Sequence, residues 1–149
     1  MDIGNTIKQR FFKSGLEKAY INLFYTTNYF RDLHQPVFLK RGILSQHYNV
    51  MRIARGQHPN PVTPGYIKEV ILDKGSDVTR LVDKLVKLGL IERSVNEINK
   101  RKLDIKLTEK GLDETNKMEH ELFLIHERLN HLSEEEYEIF SGLLDKLRG

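Results

Sequence analysis

Between residues 78 and 108 the spacing of hydrophobic residues changes from the period of a helix to that of a strand. Hydrophobic residues first recur every three or four positions, at Val78, Leu81, Val82, Leu85 and Leu88. Gly89 follows directly, as is typical of the residue after a helix. Residues 103–108 instead alternate between hydrophobic and polar, the pattern of a half-buried strand. These patterns predict a helix over residues 76–88, capped by Ser76, and a β-hairpin over residues 90–108.

A long amphipathic pattern occupies the first part of the chain. Small or hydrophobic residues recur at helical spacing from about Thr6 to His34, and a second stripe makes much of the helix apolar. We therefore expect this helix to be sandwiched between other elements. Pro36 disfavours a helical conformation at Gln35 and predicts the end of the helix there.

Two shorter helices are predicted before residue 76. Ser45 is the expected N-cap of a helix that runs to about Arg55, with Gly56 as its C-terminal stop. Thr63 followed by Pro64 is typical of an N-cap and first helical residue. The short helix that begins there is expected to bury Ile67, Val70 and Ile71.

Two further helices follow the hairpin. Thr108 is the expected cap of the first, whose apolar residues recur at a spacing near 3.5. That spacing favours packing against another helix, although an ordinary core within the chain explains it too. The run Ser133 to Glu136 is a capping box that opens the last helix. The predicted fold is mostly α-helical with a small two-stranded β-wing.

Charge is unevenly distributed along the chain. Residues 1–67 carry nine basic and three acidic residues, residues 68–110 carry eleven and eight, and residues 111–149 carry four and ten. A basic body with an acidic C-terminal segment indicates a polyanionic partner that contacts only part of the molecule. Many basic faces are simply solvated, so the charge distribution alone does not establish a polyanionic partner.

Several classes of function are disfavoured by the sequence. The chain contains no cysteine, which excludes disulfides and thiolate chemistry and fits a reducing cytoplasm. The longest apolar run, Leu122 to Ile125, is far shorter than a membrane span, and the N-terminus lacks a secretory pattern. No nucleophile motif or glycine-rich phosphate loop indicates an enzyme. His120 and His126 lie six positions apart, which does not align them on a helix, so no metal or cofactor is expected.

The predicted short helix, second helix and hairpin form a helix-turn-helix followed by a wing. In such units the second helix enters the major groove of DNA and presents outward side chains to base edges and phosphates. The candidate DNA-binding residues of this helix are Lys74, Ser76, Asp77, Thr79, Arg80, Lys84 and Lys87. The hairpin tip offers Lys100, Arg101 and Lys102 to a flanking minor groove. Each basic feature alone is usually only solvated, but their direct connection favours nucleic-acid binding.

Four stretches of this sequence together resemble the MarR (multiple antibiotic resistance regulator) family of bacterial transcription factors. They are Tyr48 to Gly56, Asp73 to Leu85, Lys87 to Arg93 and Leu107 to Gly111. The order TRLVDKL, GLIER, LTEKG is specific, whereas no single piece is. Family members carry Asp-x-Arg in the wing, and this chain has Asn99 to Arg101 there. The arginine is kept, but the acid is replaced by asparagine. An acid at this position can orient neighbouring arginine side chains, whereas asparagine can only form hydrogen bonds.

The resemblance implies a winged-helix homodimer that binds a near-palindromic DNA site as a ligand-responsive repressor. Residues 1–44 and 109–149 would form the dimerisation region and residues 45–108 the DNA-binding region, all folded as one domain. A small-molecule effector would bind between the two regions. Aromatic residues that are candidates for its site, or alternatively ordinary core residues, are Tyr20, Phe24 and Tyr48. The alternative function is a helical dimeric protein-interaction module with weakened DNA binding, which Asn99 and the interspersed acids allow.

Overall fold

The computed structural model describes residues 2–149, which form helices and one two-stranded sheet. The prediction of a mostly α-helical winged helix-turn-helix is confirmed. In chain order the elements are α1 (Ile3–Ile7), α2 (Gly15–Leu39), α3 (Ser45–Gln57), α4 (Pro64–Val70), α5 (Val78–Lys87), β1 (Ile91–Val95), β2 (Leu103–Leu107), α6 (Glu109–Arg128) and α7 (Glu134–Arg148). No helix within these residues is long and apolar enough to cross a membrane.

The hydrophobic core lies beneath the central helices and the hairpin. Fully buried side chains come from five elements, namely Val50 and Met51 of α3, Ile67 of α4, Leu85 of α5, Ile105 of β2 and Met118 of α6. Burial of such side chains is the main source of stability in a domain of this size. The core therefore holds α5 and the hairpin in a fixed position relative to α3 and α6.

The hairpin is an antiparallel pair in which Ile91 faces Leu107 and Val95 faces Leu103. Val62 adds an isolated bridge, exchanging two 2.9 Å backbone hydrogen bonds with Ile105. The base of the hairpin is thus attached to the segment before α4. Only the residues near this base are buried, and the rest of the hairpin projects into solvent.

The predicted first helix differs from the observed one at both ends. The sequence pattern predicts a helix from about Thr6 to His34, but α2 begins at Gly15, where the side chain of Ser14 accepts a hydrogen bond from the Glu17 amide. It then continues through Pro36 to Leu39. Proline removes one hydrogen bond within a helix. Burial of the next two side chains, Val37 and Phe38, offsets this cost by anchoring the last turn in the core.

Four local predictions before the hairpin are also corrected. Leu44 rather than Ser45 is the N-cap of α3, and Gly56 lies inside this helix, which ends at Gln57. The next residue, His58, leaves the helical conformation because it precedes Pro59. The helix therefore ends without a glycine. Val70 is 40% exposed rather than buried. Asp77 rather than Ser76 caps α5, because its side chain accepts the Arg80 amide hydrogen bond at 3.1 Å.

The regular stripe of α6 packs mainly within the chain. Thr115 and Met118 are fully buried and Leu122 nearly so, against a core that includes residues of α3. The stripe therefore forms an ordinary core within the chain, the alternative to a seam for a separate helix, and α6 contacts α2 and α3. Leu132, which belongs to the same spacing but lies after α6, is 43% exposed.

The terminal helices leave large hydrophobic side chains uncovered. In α2 these include Leu16, Tyr20 and Phe24, each more than 60% exposed. α7 has no buried residue, although Ile139 and Leu143 recur along it. Within a single chain α2 is therefore not sandwiched along its first half, contrary to the expectation from its two apolar stripes.

Residues at the start of α6 fasten it to the end of α5. The Thr108 hydroxyl donates a 2.7 Å hydrogen bond to the carbonyl of Gly89 and accepts the Gly111 amide at 2.9 Å. The Lys110 ammonium group donates to the carbonyl of Leu88 at 3.0 Å. A side chain on Gly111 would place Cβ only 1.8 Å from the carbonyl oxygen of Leu90, so the start of α6 lies against the backbone between α5 and β1.

Candidate nucleic-acid interface

Helix α5 presents one buried and one exposed face. Val78, Val82 and Leu85 are buried in the core, as the sequence pattern predicts. The opposite face carries Thr79, Arg80, Lys84 and Lys87, all exposed. None of these four side chains forms a hydrogen bond or ion pair with another residue between 2 and 149. Their donors are therefore available to an external partner.

The start of α5 is organised by side chains that bond to the backbone. The Asp77 carboxylate caps the helix, where an anion also suits the positive end of the helix dipole. The Ser76 hydroxyl oxygen is buried and has no hydrogen-bond partner in the described part of the chain. Lys74 directs its ammonium group to the backbone carbonyl of Glu69. Of these three predicted residues, Asp77 and Lys74 are exposed, whereas the Ser76 hydroxyl points inward.

The acidic residue on the exposed side of α5 is paired with the hairpin. Asp83 accepts a 2.6 Å hydrogen bond from Arg93 of β1. Both side chains are more than one-third exposed, so the pair adds little stability. It neutralises the negative charge of Asp83 and joins α5 to the hairpin, which limits the repulsion a polyanion would meet there.

The hairpin tip has a backbone shaped by two asparagines. The side-chain oxygen of Asn96 accepts the amides of Ile98 and Asn99 at 3.0 and 2.7 Å, and its side-chain nitrogen donates to both carboxylate oxygens of Asp104. The side-chain oxygen of Asn99 accepts the Arg101 amide at 3.1 Å. Asn99 therefore orders the backbone around the arginine and does not contact its guanidinium group.

The three predicted cations of this tip, Lys100, Arg101 and Lys102, are all exposed and make no side-chain bond within residues 2–149. Asn96, which organises the turn, is not among the residues predicted from the sequence. Asparagine in a polar hairpin connection is the signal that would have indicated it, because its side chain mimics a turn of backbone. The tip is thus an ordered, positively charged loop.

A cavity of about 910 Å³ lies where α2, α3 and α6 meet. Its volume is within the range of small-molecule sites. Tyr48 lines it and stacks on Phe38 at a centroid distance of 5.3 Å. Burial is the main cause that raises the pKa of Tyr48. Tyr20 and Phe24 do not line the cavity and stack on each other at 6.5 Å on the exposed part of α2.

The same cavity reaches the segment that leads to α5. Asn49 and Leu72 both line it, and the Asn49 side-chain oxygen accepts the Leu72 amide at 2.9 Å. Asn49 is buried on α3, whereas Leu72 lies directly after α4. A molecule in the cavity would therefore contact Asn49 and Leu72, whose hydrogen bond positions the turn before α5.

Comparison with solved structures identifies the fold. A MarR transcription factor from Planctomyces limnophilus has 29% sequence identity and a TM-score of 0.68, over 91% of this chain and 98% of that one. The S. aureus MepR–DNA complex has 22% identity and a TM-score of 0.75, over 86% and 95%. A MarR-family regulator from Rhodococcus sp. RHA1 has 17% identity and a TM-score of 0.75, over 91% and 96%. No protein-family model matches the sequence, and no curated protein matches it.

These likenesses cover 86–91% of the chain. They agree with the motif order in the sequence, from the stretch that contains Arg80 to the one that ends at Gly111. The predicted resemblance to the MarR family is confirmed, and the chain has the winged-helix fold of these MarR transcription regulators.

Proposed function

We propose that the chain is a homodimeric, sequence-specific DNA-binding transcription regulator that acts as a ligand-responsive repressor. The observation that carries the proposal is the set of unpaired basic side chains on α5 and on the hairpin tip. The two elements are adjacent, and Asp83 and Arg93 link them. The MepR structure, whose fold this chain shares, is a complex with DNA, and it supports the same kind of partner.

The geometry suits B-DNA in a defined way. The major groove is about 12 Å wide and accepts one α-helix, so α5 fits it with its exposed face toward the bases. Arg80 lies in the first turn of α5, and a guanidinium group pairs with the two acceptors of guanine. Lys84 and Lys87 lie further along the helix and suit phosphates. Arg101 on the wing suits the negative potential of a narrow minor groove.

The exposed hydrophobic surface of the terminal helices supports a homodimer. Phe11, Tyr20 and Phe24 near the N-terminus and Leu143 in α7 are each more than half exposed, and a large exposed apolar surface marks a protein–protein contact. A two-fold dimer would place its two α5 helices about 34 Å apart, one turn of the duplex. The expected binding site is therefore near-palindromic. The acidic C-terminal residues would belong to the dimer region and stay away from DNA.

The cavity between α2, α3 and α6 supports control by a small molecule. Its aromatic wall, Tyr48 on Phe38, suits an apolar ligand. A ligand there contacts Asn49 and Leu72 and thereby acts on the turn before α5. Displacement of that turn would move α5 relative to its groove and release the DNA.

The DNA-binding proposal is tested by selecting bound duplexes from a random pool and measuring affinity by fluorescence anisotropy at several salt concentrations. Arg80→Ala should weaken binding by about 1–3 kcal/mol and relax the sequence preference. Arg101→Ala should weaken binding to all sequences and reduce the salt slope by about 1. Arg128→Ala is the matched control, because it removes the same charge from the exposed end of α6.

The outcomes separate two functions. If neither Arg80→Ala nor Arg101→Ala alters binding, the assignment of α5 and the wing is wrong. If sedimentation equilibrium gives a dimer that binds no DNA at any salt concentration, the chain is a protein-interaction module with this fold. If the mass is that of one chain, the homodimer proposal fails.

A further inference from the structure

Two histidines from distant parts of the chain meet at the wall of the cavity. His34 of α2 and His126 of α6 are 92 positions apart, and their Nε2 atoms lie 3.0 Å from each other. The ring centroids are 4.9 Å apart. Both line the 910 Å³ cavity, and His126 also lines a second cavity of about 360 Å³ toward α7. The pair therefore joins α2 to α6 where two cavities meet.

The separation of the two nitrogens matches that of a chelating pair. Zn–N bonds are about 2.0–2.1 Å, so two imidazole ligands of one ion have nitrogens about 2.9 Å apart at a right angle and about 3.4 Å apart at a tetrahedral angle. The observed 3.0 Å lies inside this interval. In this structure the two nitrogens are within hydrogen-bond distance of each other, so the rings must turn to direct both lone pairs to one ion. The cavity beside them leaves room for the ion and its water ligands.

Of the three other charged side chains that line the cavity, two are engaged within the chain, and Arg52 forms no ion pair with another described residue. Glu119 is held by Arg55 of α3, and Arg31 is bonded to Asp32.

We propose that His34 and His126 form a two-imidazole site for a borderline divalent cation such as Zn²⁺, Ni²⁺ or Cu²⁺. Imidazole nitrogen suits these ions, whereas Mg²⁺ prefers oxygen ligands. No cluster of three or more metal-ligating side chains occurs in the described residues, so water completes the coordination. The bound ion fastens α2 to α6 beside the effector cavity. This proposal does not depend on DNA binding.

The site is tested by isothermal titration calorimetry of the EDTA-treated and dialysed full-length chain with ZnCl₂ at pH 7.5. The unaltered protein should bind Zn²⁺ saturably, whereas MgCl₂ should give no binding. His34→Gln and His126→Gln should each weaken Zn²⁺ binding by about 10-fold or more. His120→Gln is the matched control, because it removes an exposed histidine of the same helix and should leave the affinity unchanged.

Two further measurements guard against misfolded variants. Zn²⁺ should raise the melting temperature of the unaltered protein and of His120→Gln but not of His34→Gln. Electron paramagnetic resonance of the unaltered protein with one equivalent of Cu²⁺ should show nitrogen coupling from two imidazoles. Absence of saturable Zn²⁺ binding, unchanged affinity in a folded His34→Gln protein, or a Cu²⁺ spectrum without two imidazoles would each overturn the proposal.

Discussion

The guanidinium group of Arg41 connects the end of α2 to α6 through two ion pairs. Its Nε atom lies 2.6 Å from Glu114, its Nη2 atom lies 2.9 Å from Glu121, and its Nη1 atom donates to the carbonyl of Val37 at 2.8 Å. The side chain of Arg41 is only 13% exposed. Replacing Arg41 with methionine keeps much of the aliphatic stem and removes all of its side-chain hydrogen bonds.

The loss of stability expected for Arg41→Met follows from these contacts. A hydrogen bond to a charged group contributes about 1.5–3 kcal/mol, and loss of two such contacts sets an upper range of about 3–6 kcal/mol. The carboxylates are not left alone, because Lys117 stays near Glu114 and Lys40 near Glu121. We therefore expect Arg41→Met to lower the free energy of unfolding by about 2–3 kcal/mol, which lowers Tm by about 5–10 °C.

The assay is urea unfolding followed by circular dichroism at one fixed protein concentration. Arg31→Met is the matched control, because its ion pair with Asp32 has both side chains more than 60% exposed. That variant should lose no more than about 0.5 kcal/mol. Equal destabilisation by the two variants would refute the reasoning.

The difference in unfolding free energy between the unaltered protein and Arg41→Met should depend on pH. The hydrogen bond from Arg41, followed by that from Lys40, lowers the pKa of Glu121 from 4.5 to about 2. A carboxylate whose pKa is lowered on folding stabilises the protein above its unfolded pKa. That contribution is lost as the pH falls from 4.5 to 2. The difference between the unaltered protein and Arg41→Met should therefore narrow below pH 4.5. A difference that stays constant between pH 7 and pH 3 would contradict this explanation.

Gly111→Ala and Thr115→Val test the packing of α6, and thermal melting measures both effects. Gly111→Ala should destabilise by more than about 3 kcal/mol because its Cβ would overlap the carbonyl oxygen of Leu90. Gly142→Ala in α7 meets nothing within 4 Å and should stabilise by up to about 1 kcal/mol. Similar effects of the two alanines would disprove the close contact. Thr115→Val removes a 2.6 Å hydrogen bond to the carbonyl of Gly111 at a fully buried site, and should cost about 0.5–1.5 kcal/mol. An unchanged Tm would mean that this bond contributes nothing.

Local patterns predicted the central unit because its elements are determined by nearby residues. The stripe of α5, its glycine stop and the alternation in β2 depend on spacing within a few residues, and the structure has all three. The identity of the cap was off by one residue, from Ser76 to Asp77, because both side chains can cap a helix. Helix propensity and capping rules therefore describe this region well.

Tertiary contacts determine the features that local sequence patterns did not predict. Pro36 lies inside α2 because Val37 and Phe38 are buried beyond it, which no local rule reveals. The spacing of the α6 stripe predicts a helical neighbour but not whether that neighbour belongs to the same chain. Likewise, the contact of His34 with His126 joins positions too far apart in sequence for any spacing rule to detect.

The bonds of Thr108 and Lys110 to the carbonyls of Gly89 and Leu88 attach the start of α6 to the residues directly after α5. α6 is also a wall of the large cavity and, through Glu114 and Glu121, holds Arg41 at the end of α2. The C-terminal end of α5 is thus attached to α6, and the turn before its N-terminal end is attached to Asn49 of α3. The orientation of the basic helix thus depends on two separate attachment points, one at each terminus.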